Sequence, residues 1–164
     1  MIALSNSSPI ILLARVGHLH LLPELFDRVL IPSGVREEIL AEGGTRPGAA
    51  QLATASWISV QGLARPLGSG ALLSQLGRGE AEVISLALEI PAPVTLLLDD
   101  AAGRRLALEI GFAVLGSAGV LVRAKEQGLI PLVRPALDDL LAAGLYLSEA
   151  LYHRLLSGVG EALS

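Results

Sequence analysis

Short apolar runs of strand length alternate along this chain with longer segments whose apolar residues recur every three or four positions. Residues 2–4 form the first run and end in the polar turn Ser5-Asn6-Ser7-Ser8, after which Pro9 suits the first turn of a helix reaching about residue 16. Residues 18–26 predict a second short helix interrupted near Pro23, and 29–31 a buried strand closed by Pro32. Ser33 caps a helix to about residue 41, with Val35, Ile39 and Leu40 on its inner face. A breaker-rich loop at 43–48 leads to a short Ala-rich helix, and 57–60 alternates as a strand at a sheet edge does. Residues 66–79 predict a loop with a short helix at 71–76, and this is the expected mobile segment. Beyond Gly79 the rhythm is regular: helix 80–89, strand 94–98, helix 101–110, strand 113–115, helix 118–127, then a tail with helices at 136–143 and 148–156.

Strands alternating with helices in this way imply right-handed crossovers, hence a three-layer α/β/α architecture around a mostly parallel sheet. No internal repeat or linker divides the chain, so residues 1–164 are expected to form one domain, with 134–164 a C-terminal helical extension. Hydrophobic residues make up 52% of the chain and the mean hydropathy is +0.60, which raises the question of a membrane. A spanning helix needs about 20 consecutive apolar residues. The longest uncharged stretch, 47–64, is broken by proline, glycine, glutamines and hydroxyls. The surplus apolar surface instead predicts a homodimer interface built from the Leu-rich helices at either end of the chain. Residues 1–8 carry no signal-peptide pattern, so the cytoplasm is the expected location.

With no cysteine, disulfides and thiolate chemistry are excluded, and any metal must be held by oxygen or histidine. A net charge of −4 argues against non-specific duplex binding while leaving room for a local basic patch. Eleven of the twelve basic residues are Arg, which grips phosphate bidentately, although a GC-rich genome gives the same bias.

Ligands of open parallel sheets bind at the carboxyl ends of the strands. Three polar turns occupy such places: Ser5-Asn6-Ser7-Ser8, Asp99-Asp100 and Gly116-Ser117. Each has a plain structural explanation too. Asp99 or Asp100 can cap the helix at Ala101, and Glu80 suits the first turn of its own helix. Glu38 lies late in a helix, where the dipole disfavours it, and otherwise reads as a surface glutamate.

Taken in order, Ser5-Asn6-Ser7-Ser8-Pro9-Ile10, Ile31-Pro32 with Val35 and Glu38, Gly79-Glu80-Ala81-Glu82 with Ala87-Leu88-Glu89, Leu98-Asp99-Asp100 and Gly116-Ser117 resemble the PIN-domain ribonuclease family over about residues 1–130. They look closest to a prokaryotic branch with a Gly-Glu-Ala-Glu helix. The resemblance implies an acidic pocket binding Mg²⁺ or Mn²⁺ for hydrolysis of RNA phosphodiesters, and a toxin partnered by a small antitoxin. It puts Asn6 at the family's first aspartate, Ser8 at the hydroxyl that orients it, and Glu38, Glu80 and Asp100 at the next acidic positions. Asp99 and Glu82 are close alternatives. The implied catalytic set is therefore Asn6, Glu38, Glu80 and Asp100, with Asn6, Glu80, Asp99 and Asp100 as metal ligands and Ser8, Arg104, Arg105 and Ser117 toward substrate. Asn6 departs from the family pattern: an amide oxygen ligates a cation but adds no negative charge, so a weakened nuclease and a silent binding module both stay open.

Other chemistries find less support. His18 and His20 are two residues apart, whereas a zinc helix pairs histidines four apart. Ser7 and Ser8 lack a nucleophile elbow, and the glycines of 68–79 lack the Lys of a phosphate-binding loop. A receiver-like domain needs its acidic pair after the first strand and a late lysine, but Lys125, the sole lysine, falls mid-helix.

Overall fold

The computed structural model describes residues 1–41, 48–65, 67 and 75–161. The expected loop at 43–48 falls almost wholly outside these residues, as does most of the loop expected at 66–79 with its short helix at 71–76. The elements run β1 (Ile2–Ser5), α1 (Ser7–Arg15), α2 (Leu21–Leu25), β2 (Arg28–Pro32), α3 (Ser33–Ala41), α4 (Ala49–Thr54), β3 (Ile58–Gln61), α5 (Arg78–Glu89), β4 (Val94–Leu97), α6 (Ala101–Ile110), β5 (Ala113–Leu115), α7 (Ser117–Glu126), α8 (Arg134–Ala142) and α9 (Glu149–Gly158).

Among the described residues, the five strands of the sheet are all parallel, in the order β3-β2-β1-β4-β5, with Ala3 opposite Val29 on one side and Thr95 on the other. Strands buried on both faces are near-continuously apolar rather than alternating. That is the character of β1, β2 and β4, whose Leu4, Ile31, Leu96 and Leu97 are fully buried, while the two edge strands are partly exposed. Helices α5 and α6 pack together on one face, and α1, α2, α7 and α8 form a connected layer on the other; α3 touches both α1 and α5.

Helix α1 starts at Ser7, two residues before Pro9, because a proline in the first turn removes only an N–H that has no intrahelical partner. Its Ile10, Ile11, Leu12 and Leu13 are all buried in the core. The N-terminal apolar helix therefore offers no dimer surface, contrary to the sequence expectation. At the other end of the chain, Leu151 of α9 is 38% exposed. Among the described residues, no helix is long and apolar enough to cross a membrane.

The C-terminal helices join the same core through Val133, Ala136, Leu137, Leu140 and Leu156. A polar pin closes them onto α7. Lys125 Nζ donates to Glu161 Oε2 at 2.9 Å and to the Val159 carbonyl at 2.7 Å, and Glu161 accepts the N–H groups of Val133 and Arg134 at the start of α8. Burial alone pushes the Glu161 carboxyl up, but the Lys125 ammonium and the two backbone N–H groups together outweigh it and hold the group below its ordinary 4.5. A depressed folded pKa contributes stability that is complete above 4.5 and is lost as pH falls through the folded value. Glu161→Gln is expected to cost about 1.5–3 kcal/mol in urea unfolding at pH 7, with the deficit shrinking as the pH is lowered through the folded pKa of the wild-type carboxyl.

Candidate functional site

The chain moves from β1 to β2 and β3 in one direction and returns to β4 and β5 on the other side. The crevice between the carboxyl ends of β1 and β4 is thus the topological switch point. Asn6 enters it directly after β1, extended at φ −76° and ψ 173°, and its N–H donates to the Leu97 carbonyl at 3.1 Å. Helices α1, α6 and α7 follow strands and α5 precedes one, so all four begin at this edge and turn their unpaired N–H groups and positive dipole ends toward it.

Three consecutive residues of the turn each hold a carboxylate from a distant part of the chain. Asn6 Nδ2 donates to Glu80 Oε1 at 2.7 Å, Ser7 Oγ to Glu38 Oε2 at 2.6 Å, and Ser8 Oγ to Asp99 Oδ2 at 3.1 Å. Gly79 fixes the depth of this arrangement. A Cβ there would collide with Asn6 Oδ1 and lie 3.2 Å from Glu38 Oε2, so both oxygens abut the bare first turn of α5. Asn6 is 4% exposed and its Oδ1 has no hydrogen-bond partner among the described residues. Leaving a buried acceptor unpaired costs about 1–3 kcal/mol.

The adjacent aspartates divide two tasks. Asp99 accepts from Ser117 N–H and Ser117 Oγ, both at 2.7 Å, as well as from Ser8, and so ties α1 to α7. Asp100 caps α6, its Oδ2 accepting the Gly103 N–H at 2.9 Å. Asp100 is nonetheless a neighbour of the site: the Cβ position of Gly103 lies 3.0 Å from Glu80 Cγ and 3.6 Å from Asp100 Oδ2.

Several expected roles change. Ser8 was expected to orient residue 6 but donates to Asp99 instead. Ser117 was expected to face substrate but is fully buried behind Asp99, where no substrate reaches it. Glu82, two residues beyond Glu80, is turned about 200° around the helix axis. It packs against Gly34 of α3 and accepts from Arg78 Nε at 3.2 Å, away from Asn6. Arg104 is partly buried and donates to the Leu98 carbonyl at 3.3 Å beside Asp99, whereas Arg105 lies exposed on α6. Two residues were missed, Ser7 as the partner of Glu38 and Gly79 as the floor beneath Asn6. Both stood inside motifs already noted, but only the packing of α3 on α1 and α5 reveals what they touch.

A buried, unpartnered amide oxygen between carboxylates is donor chemistry suited to a hard cation. Among the described residues no group of three carboxylates or imidazoles converges to hold an ion. A cation here would therefore take one or two carboxylates together with Asn6, as Mg²⁺ commonly does while keeping several waters.

A sequence model described as PIN domain matches residues 2–161. The chain belongs to the PIN-domain family. A PilT N-terminus domain protein from the hyperthermophilic archaeon Sulfolobus solfataricus is similar in structure, with a TM-score of 0.49 and 17% identity over 76% of this chain and 93% of that one. No curated protein matches the chain. In this PIN domain the site rests on the contact between Asn6 and Gly79. Gly79→Ala is expected to lower the melting temperature by about 3–10 °C, from about 1–3 kcal/mol of overpacking. Gly158→Ala in α9, where a Cβ meets no atom of the described residues within 4 Å, should leave melting unchanged or slightly raised.

Proposed function

We propose that this PIN domain is a divalent-metal-dependent ribonuclease whose site is organised by the Asn6-Ser7-Ser8 turn. The observation that supports this most is the buried, unpartnered Asn6 Oδ1, set beside Glu38 and Glu80 at the switch point of a parallel sheet. Asn6 and Glu80 are the primary ligands, with Asp100 reaching the same side across Gly103, and Glu38 takes the opposite side through Ser7. Asp99 acts by position, holding the first turn of α1 against α7 so that Asn6 and Ser7 stay in place.

Bound Mg²⁺ or Mn²⁺ supplies a water of lowered pKa and neutralises charge that develops on the phosphate. Glu38 is exposed and, among the described residues, receives only the Ser7 hydroxyl on Oε2, leaving Oε1 to accept a proton from an attacking water. Arg104, whose guanidinium has donors to spare beyond its bond to Leu98, is placed to hold a phosphate oxygen. RNA as substrate and the toxin role are carried by the family resemblance. On this reading induced expression arrests growth, and Glu80→Gln abolishes the arrest.

A second reading, a silent binding module, is favoured by one specific contact. In the ion-free site the Asn6 amide already donates to Glu80, so that carboxylate is satisfied without a cation. Asn6→Asp separates the two readings. It sets a second carboxylate against Glu80 and should lower the melting temperature in EDTA by several degrees. In a nuclease, Mn²⁺ should reverse the loss and RNA cleavage should rise at least tenfold, while Glu80→Gln lowers wild-type cleavage about 100-fold or more. A variant that Mn²⁺ does not rescue, with no gain in cleavage, would favour the binding module.

A further inference from the structure

A cleft of about 350 Å³ shares Asp99 and Arg104 with the acidic site, and its apolar remainder is not used by the chemistry above. It lies between the first turn of α7, the free edge of β5 and the segment joining α8 to α9. Leu115, Leu147, Leu151 and Leu155 wall it, and Asp99 and Arg104 stand at the end nearest the carboxylates. Tyr146 lines it as well and is 89% exposed, an aromatic ring presented to solvent with little packing of its own.

The strand edge adds directional polarity. Leu98 N–H donates to the Leu115 carbonyl at 3.0 Å, so the backbone of Leu115 faces β4. The alternation of a parallel strand then turns the N–H and C=O of Val114 toward the open side of the sheet. Because β5 has only three residues, this edge offers one donor and one acceptor side by side, too short a row to pair with an added strand. A nucleobase presents a matching donor and acceptor on one edge and two apolar faces.

We propose that this cleft is a subsite for one unpaired nucleobase of the RNA, adjacent to the phosphate that is cut. The assignment rests on the ribonuclease reading. The leucine walls take one face of the base, Tyr146 stacks on it from the mouth, Val114 reads its edge, and Arg104 holds the phosphate that joins this nucleotide to the acidic site. Continuity through Asp99 and Arg104 with the acidic site favours an RNA chain here over a peptide, since in RNA the phosphate next to the base lies within reach of the Arg104 guanidinium.

The test uses a short single-stranded RNA carrying one 2-aminopurine, mixed with the full chain in EDTA so that binding is read without cleavage. Stacking should quench the fluorescent base, and an abasic nucleotide at that position should bind about 5- to 100-fold more weakly. Tyr146→Ala, and separately Leu151→Trp to fill the cleft, should each remove the difference between the two RNAs, with melting curves confirming that both variants fold. Equal binding of the two RNAs by the wild type would overturn the proposal. So would a difference that survives both substitutions, or a cleft that binds an apolar peptide and is indifferent to nucleotides. If RNA is cleaved in a Glu80-dependent way while these outcomes hold, only the base subsite falls. If there is neither cleavage nor RNA binding, the ribonuclease reading falls with it.

Discussion

Three hydrogen bonds from consecutive residues, Asn6 to Glu80, Ser7 to Glu38 and Ser8 to Asp99, hold the acidic side chains of this PIN domain at one end of its sheet. They join positions separated by 74, 31 and 91 residues, so the turn after β1 acts as the staple between α1, α3, α5 and the loop after β4. Carboxylates gathered without a cation would repel, and two features of the fold oppose that. Hydroxyl and amide donors meet each carboxylate, and four helix N-termini turn their positive ends to the same edge. The cluster is thereby tolerable without a cation, and a neutral residue at position 6 lowers its charge further.

The all-parallel sheet is what makes the staple possible. With β1 at the centre of the order β3-β2-β1-β4-β5, its carboxyl end is the place reached both by the helix returning to β4 and by the loop leaving β4. The first turn of α5 comes close enough to touch Asn6 only because residue 79 has no side chain. Fold and site are coupled here through packing: displacing that glycine backbone moves the amide, and with it both neighbouring carboxylates.

Much of this was legible in the residues because it follows from periodicity. Runs of mostly apolar residues such as Val94 to Leu97 mark doubly buried strands, and polar turns after them mark one edge of the sheet, so the layers and the meeting of these turns at that edge could be read directly. What stayed hidden depends on rotation by a single residue. Asp99 and Asp100 are equivalent in sequence, yet one ties Ser8 to Ser117 and the other caps α6, because successive residues of the extended segment before the helix point to opposite sides. Glu80 and Glu82 differ by their rotation around the axis of α5. The Leu-rich helices at either end of the chain were expected to form a dimer interface, and the burial of Ile10 to Leu13 within the chain's own core cannot be seen locally. The pin between Lys125 and Glu161 and the cleft at Tyr146 arise where α8 and α9 fold back, which no short-range pattern encodes.

The central claim is that Asn6, Glu80 and Glu38 form one cation site despite the neutral residue at its centre. Titration of Mn²⁺ into the protein, followed by the loss of the free-ion electron paramagnetic resonance signal, tests this without reference to RNA. The account predicts one ion bound per chain, with affinity reduced at least tenfold by Glu80→Gln and by a smaller factor by Glu38→Gln. Absence of saturable binding by the wild type, or binding undiminished when Glu80 is neutralised, would contradict it.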